Sequence, residues 1–160
     1  MSLEGLREVT KTGSWKKVAE SVAAGKQTLL SLTDFGAYWI EAGHRIREQV
    51  ENDQLLCELL RRTLPKYEGE TVTLFRGENI GRWKSGLIGF AWTDQVAVAR
   101  MFGRGLNATH TGGVLLRATF KPSSIISGPN KHSQYLGETQ FTIDPISAQG
   151  AEEIEVFPPL

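Results

Sequence analysis

Apolar residues recur at helical spacing through the first 68 residues of the chain. Ser14 precedes a run of helix-forming residues and is typical of a helix N-terminus. Two longer apolar stripes follow: Phe35, Tyr38, Trp39, Ala42 and Ile46, then Leu55, Leu56, Leu59, Leu60 and Leu64. Ser31 to Thr33 could cap the first stripe, and Pro65 ends the second. Because Gly25 and Gly43 argue against one continuous helix, we predict several helices over residues 1–68.

After Pro65 the pattern changes to that of strands. The predicted strands are Thr71–Arg76, Gly89–Trp92, Gly113–Phe120, Gln140–Ile143 and Glu153–Phe157. A short helix is predicted over residues 94–102, capped by Thr93 or Asp94. Helices followed by strands indicate an α+β fold rather than alternating βαβ units. At 160 residues we expect one domain, with a helical part over 1–68 and a strand-rich part over 69–160.

Charge is balanced over the whole chain but uneven along it. The 18 basic and 18 acidic residues cancel, whereas nucleic-acid-binding domains usually carry a clear basic excess. Residues 71–131 hold eight basic residues and two acidic ones, whereas five of the eight acidic residues in 69–160 lie after residue 131. The basic stretch could face a phosphate-bearing ligand. Alternatively it balances in three dimensions on a solvated surface, which charge alone favours.

Cysteine and histidine usage gives no sign of a metal site. The single cysteine, Cys57, excludes an internal disulfide and lies on an apolar helical stripe, which favours a buried thiol. His44, His110 and His132 are scattered without ligand spacing. The N-terminus lacks an apolar signal core, and no apolar run approaches the roughly 20 residues of a spanning helix. We therefore expect no metal, no membrane association and a cytoplasmic location.

Three short segments carry candidate chemistry. In the first, Arg76 ends a predicted buried strand, where an unpaired charge would be costly. Its guanidinium could grip a phosphate through two hydrogen bonds, with Gly77 allowing close approach to the backbone, or it could form a structural ion pair. The second segment runs from Gly89 through Thr93 to Phe102 as strand, hydroxyl and helix.

The third segment is Ser133–Gln140, which runs directly into a predicted strand. Side chains alternate along a strand, so Glu138 and Gln140 are expected on one face. A carboxylate and an amide side by side at the start of a strand suggest contact with a ligand rather than core packing.

In this order the three segments resemble the mono-ADP-ribosyltransferases of the arginine–serine–glutamate class, which include bacterial toxins and phage-borne enzymes. The resemblance spans about Thr71 to Pro145. It implies the ADP-ribosyltransferase fold, in which a helical N-terminal part packs on a split, mainly antiparallel sheet with an NAD cleft between them. It also implies transfer of ADP-ribose from NAD, as co-substrate, to a macromolecule. Delivery into the cytoplasm of a target cell, and an inhibitor or immunity protein as partner, are compatible with it.

The resemblance implies a role for each matching residue on the NAD side. Arg76 would hold the phosphate side of NAD, and Gly77 would present backbone groups to the nicotinamide amide. Thr93 takes the serine-motif position and would cap the helix behind the site. Trp92 or Phe102 would pack near the nicotinamide ring.

On the acceptor side, Tyr135 lies on the loop that meets the acceptor in this family. Glu138 takes the first position of the Glu-x-Glu pair and would assist the acceptor, favouring an arginine on a protein. Gln140 stands at the second, catalytic position, where the family has a glutamate. That glutamate grips a ribose hydroxyl and stabilises an oxocarbenium-like transition state, and loss of its charge typically costs about 3 kcal/mol or more.

Three explanations of Gln140 are open. The favoured one is an engineered replacement that inactivates the enzyme. Gln140 could instead be natural, leaving an NAD-binding protein without catalysis, or the true Glu-x-Glu pair could be Glu153 and Glu155 in the last strand. The alternative functions are an NAD glycohydrolase, ADP-ribosyl transfer to nucleic acid, which the basic stretch permits, and a non-catalytic binding or interaction module.

Overall fold

The structure, a computed structural model, describes residues 1–26 and 32–160. Over these residues the helices are α1 (Leu3–Lys11), α2 (Trp15–Ala23), α3 (Leu32–Val50), α4 (Asp53–Thr63), α5 (Ile80–Lys84), α6 (Val96–Arg104) and α7 (Lys131–Tyr135). The strands are β1 (Val72–Asn79), β2 (Ala91–Thr93), β3 (Gly113–Phe120), β4 (Ile125–Ser127), β5 (Gln140–Ile143) and β6 (Glu152–Phe157). The capping role predicted at residues 31–33 lies outside the side chains that the structure describes.

The four N-terminal helices share one apolar core. Both predicted stripes supply it: Phe35, Tyr38, Trp39, Ala42 and Ile46 from α3, with Leu56, Leu59 and Leu60 from α4. Gly25 follows α2 with a φ of 73°, so a break there is confirmed. The expected interruption at Gly43 is wrong, because α3 runs through it. A Cβ at Gly43 would come within 3.2 Å of the Trp39 ring, so the position suits a glycine inside this packed helix.

The six strands form one antiparallel sheet in the order β4-β5-β2-β1-β3-β6. With the helices N-terminal to it, this confirms the α+β class. Instead of two separate sheets, two three-stranded halves are hydrogen-bonded into one sheet. They join through a single register pair, Phe75 opposite Thr93, whereas all three residues of β2 pair with β5.

Helix α3 is fixed against the sheet by polar and aromatic contacts. Trp39 donates its indole N–H to the Thr142 hydroxyl of β5 at 3.0 Å and meets the Phe90 ring edge-on at 5.6 Å. Arg47 donates through Nη1 to the carbonyl of Ile88 at 2.8 Å. Because these contacts join α3 to both β5 and the loop before β2, the helix forms a firm wall facing the sheet.

Cys57 is 8% exposed, and burial raises the pKa of its thiol to about 12, as expected for an unreactive core cysteine. Over residues 1–26 and 32–160 no helix has the length and apolarity needed to cross a membrane. In the same ranges no group of three or more His, Cys, Asp or Glu side chains could hold a metal ion.

Candidate functional site

A cleft of about 550 Å³ opens between α3 and the sheet, a size common for small-molecule sites. The sequence-predicted residues that line it are Arg76, Gly77, Trp92, Thr93, Phe102, Glu138 and Gln140. Tyr135 is the exception, since it is 86% exposed at the end of α7 and does not line the cleft. The three segments that carry the family resemblance therefore converge on one cavity.

Arg76 lies in the middle of β1, not at its end, and its guanidinium is held on two sides. Nε donates to Glu78 Oε2 at 2.7 Å, and Nη1 donates to the carbonyl of Ala91 at 2.8 Å. Among the described residues Nη2 makes no hydrogen bond. A Cβ at Gly89 would overlap the guanidinium, so the glycine makes the space that it occupies. Arg76 thus forms the predicted structural ion pair through Nε and keeps Nη2 as a free hydrogen-bond donor.

Glu78 is the carboxylate that anchors this side of the cleft, and the sequence analysis assigned it no role. It is 1% exposed and accepts backbone N–H groups from Asn79 and Gly89, each at 2.9 Å. Arg82 Nε lies 3.5 Å from Glu78 Oε1. Burial alone would raise the pKa of Glu78, but the Arg76 charge and these hydrogen bonds lower it below its ordinary range. Glu78 is therefore a buried, ionised carboxylate that orients Arg76.

Gly77 serves close packing of α6 on the sheet. A Cβ there would collide with the Ala99 carbonyl and with the amide of Gly103 in α6. The Gly77 carbonyl accepts a hydrogen bond from Asn107 Nδ2 at 2.6 Å. One of the Gly77 backbone groups predicted to meet the nicotinamide amide thus already accepts a hydrogen bond from a side chain that also lines the cleft.

The capping prediction for α6 is wrong in detail. The helix begins at Val96 and its N-cap is Gln95, which makes no side-chain capping bond. The Thr93 hydroxyl accepts the backbone N–H of Gln95 at 3.1 Å, so it orders the turn that precedes the helix and is not the N-cap. Thr93 also pairs with Gln140 across β2 and β5, which fixes the distance between the second and third segments.

Trp92 and Phe102 occupy different environments. The Trp92 side chain is 1% exposed, donates to the Gly89 carbonyl at 3.2 Å and packs edge-on against Phe120 at 5.0 Å. It belongs to the core of the sheet and has no surface to offer a nicotinamide ring. Phe102 is half-buried on α6 and lines the cleft, so of the two aromatic residues it is the one available to a ligand.

Glu138 and Gln140 both line the cleft, but they do not share a strand face. β5 begins at Gln140, and Glu138 lies in the preceding turn, where Thr139 has a φ of 45°. Burial raises the pKa of the half-buried Glu138, and nearby His132 lowers it by less. Gln140 is 9% exposed, and in the described part of the chain its amide bonds to no protein group. Because no buried polar atom there lacks a partner, that amide opens onto the cleft.

The α3 wall of the cleft is the part that the sequence analysis missed. It comprises Trp39, Ile40, Gly43, His44, Arg47 and Glu48. Arg47 is clamped by Asp53 through Nη2 at 2.7 Å, and its guanidinium lies 5.1 Å from the Phe90 ring centre. A signal was present in the sequence, because positions 40, 44 and 47 share a helical face beside the apolar stripe. The sequence of one helix does not indicate which part of the protein will pack opposite that face.

Basic and acidic side chains are mixed around the cleft. Three arginines and three glutamates line it together. The acidic C-terminal residues pair elsewhere: Glu152 with Arg117 at 2.8 Å and Glu155 with Arg100 at 3.1 Å. Antiparallel pairing of β6 with β3 accounts for the first of these contacts. Two of the eight basic residues in 71–131, Arg100 and Arg117, are thus balanced on the surface, while Arg76 and Arg82 lie beside the buried Glu78.

Comparison of the chain with protein-family models, with curated protein sequences and with solved structures gave no match.

Proposed function

We propose that this protein is a mono-ADP-ribosyltransferase that moves ADP-ribose from NAD to a macromolecular acceptor, with an arginine on a protein as the favoured acceptor. The observation that carries the proposal is convergence. Residues from three segments, represented by Arg76, Thr93 and Glu138, line one cleft in the order that the family resemblance requires. A chance resemblance of short motifs gives no reason for them to meet in space.

The donor side of the proposed reaction uses Arg76. Its pre-oriented guanidinium offers the free Nη2 edge to a diphosphate oxygen, and charge-assisted bonds of this kind are the stronger ones. Phe102 supplies an apolar face for the nicotinamide. The bond between nicotinamide and the ribose carbon breaks, nicotinamide leaves with the bonding electrons, and positive charge develops on the ribose. A negative group aimed at that carbon would lower the barrier.

The acceptor side uses Glu138. An arginine nitrogen of the acceptor attacks the ribose carbon and releases a proton, which Glu138 is positioned to take. Burial raises the pKa of Glu138, which brings its basicity closer to that of a working base. Gln140 can hydrogen-bond a ribose hydroxyl but supplies no charge, so the chain with Gln140 is expected to bind NAD and to turn it over slowly.

The explanations of Gln140 differ in their support. Glu153 and Glu155, the alternative pair, do not line the cleft: Glu153 accepts the indole N–H of Trp83 at 2.6 Å, and Glu155 pairs with Arg100. β6 also lies at the far edge of the sheet from β5. Position 140 therefore remains the place where a catalytic carboxylate is expected. A non-catalytic NAD-binding module is the second candidate function, and the uncharged amide of Gln140 is the observation that favours it.

The decisive experiment restores the charge by Gln140→Glu. We expect release of nicotinamide from NAD to rise by about 10²–10³-fold, the range for one group that stabilises developing charge. Gln134→Glu is the matched control, since it adds the same charge on an exposed residue of α7 outside the cleft. Release measured with and without an arginine-bearing protein separates transfer from glycohydrolysis. Protease or nuclease treatment of the labelled product separates protein from nucleic-acid acceptors.

The binding part is tested by calorimetry with NAD. Arg76→Lys keeps a positive charge beside Glu78 but loses the planar guanidinium, whose bonds to Glu78 and to the Ala91 carbonyl leave Nη2 free for NAD. It should therefore weaken NAD binding at least tenfold. Arg62→Lys, at an exposed ion pair with Glu58, should leave it unchanged. No turnover by the Gln140→Glu chain, together with no NAD binding by either chain, would refute the proposal. Unchanged affinity in Arg76→Lys would refute the assignment of the site.

A further inference from the structure

A second groove, of about 400 Å³, lies between α1 and α3. Its floor is a closed hydrogen-bond network. The hydroxyls of Thr10 and Tyr38 lie 2.6 Å apart, and Trp15 donates its indole N–H to Thr10 at 2.8 Å. Gln49 donates to the Thr10 carbonyl at 2.8 Å. Because the floor groups satisfy one another, a ligand here would be held by the charged rim: Arg7, Lys11, Glu41, His44 and Arg45.

The positive charge of the rim is not neutralised by ion pairs in the part of the chain that the structure describes. Within residues 1–26 and 32–160 no ion pair joins Arg7, Lys11 or Arg45 to a carboxylate, and all three side chains are exposed. The one rim carboxylate in that part of the chain, Glu41, is engaged by His132 Nε2 at 2.7 Å. Other arginines of the protein are paired with carboxylates, among them Arg47, Arg76, Arg82, Arg100 and Arg117.

The groove lies next to the proposed active site. His44 of α3 lines both cavities, so the two meet at this residue. Glu41 binds His132 of α7, and α7 leads through a short turn to Glu138. A segment lying in the groove would therefore extend to the mouth of the cleft beside the residue proposed to assist the acceptor.

We propose that the α1–α3 groove docks an acidic segment of the acceptor protein, an inference that rests on the proposed transferase function and names its partner's chemistry. Carboxylates on the acceptor would complement Arg7, Lys11 and Arg45 and orient a neighbouring arginine toward the cleft. A phosphodiester backbone fits less well, because it needs an extended basic track. On α1 the basic side chains alternate with Glu4 and Glu8, which interrupt such a track.

The test compares two sets of substitutions that remove the same charge. One chain carries Arg7→Gln, Lys11→Gln and Arg45→Gln. The control carries Lys66→Gln, Lys84→Gln and Lys121→Gln, three exposed lysines that line neither cavity. Binding of labelled poly-L-glutamate at low salt is followed by fluorescence anisotropy, with a DNA duplex as competitor, and circular dichroism checks that each chain is folded.

We expect the groove substitutions to weaken poly-L-glutamate binding on the order of tenfold and the control substitutions to change it little, with the difference shrinking as salt screens the charges. Three results would each overturn the proposal. They are no binding of poly-L-glutamate to the unsubstituted chain, an equal loss in both substituted chains, and stronger competition by DNA than by unlabelled poly-L-glutamate.

A second arm links the groove to transfer. The chain with Gln140→Glu is offered a peptide with a central arginine among glutamates, and the same peptide with glutamine in place of glutamate. The glutamate peptide should be modified faster, and the groove substitutions should abolish that preference. An absence of turnover by this chain would count against the transferase function alone, since the binding arm needs no NAD. A preference that survives the groove substitutions would overturn the docking proposal alone.

Discussion

Glu78 and Glu138 line the same cleft but lie in opposite electrostatic environments. Glu78 is 1% exposed, ion-paired and bonded to two backbone amides, and its pKa is lowered. Glu138 is half-buried in a turn, forms no ion pair within the described residues, and its pKa is raised. Burial acts on both carboxylates, and only Glu78 has partners that reverse its effect.

This difference separates a preformed side of the cleft from an adjustable one. Around Glu78 the backbone is tightly packed, since a side chain at Gly77 or Gly89 would collide with neighbouring atoms. Around Glu138 a Cβ at Gly137 would meet nothing within 4 Å, and Thr139 holds a strained φ of 45°. In the proposed reaction, the first side would hold the donor and the second would adapt to the acceptor.

The largest expected effect comes from Glu78→Gln, which leaves the partly buried Arg76 without its counter-charge. Breaking such a pair typically costs about 3 kcal/mol, to be measured by urea unfolding at neutral pH. The pKa of Glu78 is lowered, so its stabilisation is fully present above the ordinary glutamate range and is lost as the pH falls through the folded-state value. The two chains should therefore converge in stability in acid.

Glu152→Gln is the control for that prediction. It removes the partner of Arg117 at the far edge of the sheet, where both side chains are largely exposed. A pair of this kind contributes roughly 0–1 kcal/mol. Equal losses of unfolding free energy in the two variants would mean that the Glu78 ion pair contributes no more than an exposed pair. The contrast between Glu78 and Glu138 would then be refuted.

The next largest effect concerns the packing beneath Arg76. Gly77→Ala inserts a methyl group against the Ala99 carbonyl and the Gly103 amide, and overpacking of this kind costs about 2 kcal/mol. Gly150→Ala is the matched control, because a Cβ there meets no atom within 4 Å and no positive φ is involved. Thermal unfolding measures both. A Gly77→Ala chain as stable as Gly150→Ala would show that α6 can move away from β1.

The preformed side of the cleft was partly predictable from the sequence, and the reason is local. β3, which pairs with β1 along its whole length, begins and ends where the strand pattern placed it, and Arg76 with Gly77 was singled out from neighbouring residues. Glu78 was not, because its role depends on Gly89, which lies eleven positions later in the chain and reaches it only through the fold. A hydrogen bond between segments that are far apart along the chain produces no periodic pattern in the sequence.

The adjustable side was harder to predict, because one residue changes its geometry. Period-two alternation put Glu138 and Gln140 on one strand face, but the strand begins only at Gln140. Thr139, a β-branched residue expected to favour a strand, instead adopts a positive φ after the Gly137 turn. The α3 wall escaped prediction for another reason: its polar positions meet residues far away in the sequence, as Arg47 does at the Ile88 carbonyl 41 positions later.

The pH dependence of Glu138 should have the opposite sign to that of Glu78. Its pKa is raised in the folded state, so the folded protein binds more protons and stability falls as the pH rises between the unfolded-state and folded-state values. Glu138→Gln should remove that fall, giving a variant that gains relative to the parent as the pH rises through the acid range. Urea midpoints at a series of pH values measure it. Parallel curves for the two chains would contradict the raised pKa.

The smallest effect tests whether the turn before β5 is strained. A non-glycine residue in the left-handed region costs about 1–2 kcal/mol, whereas glycine loses roughly 0.5–1 kcal/mol through its more flexible unfolded state. Thr139→Gly should therefore be neutral or more stable by about 0.5 kcal/mol. Thr109→Gly, at an exposed position without a positive φ, should be destabilised instead. If both glycine variants lose the same stability, Thr139 stores no strain, and the Glu138 side of the cleft is as firmly set as the Arg76 side.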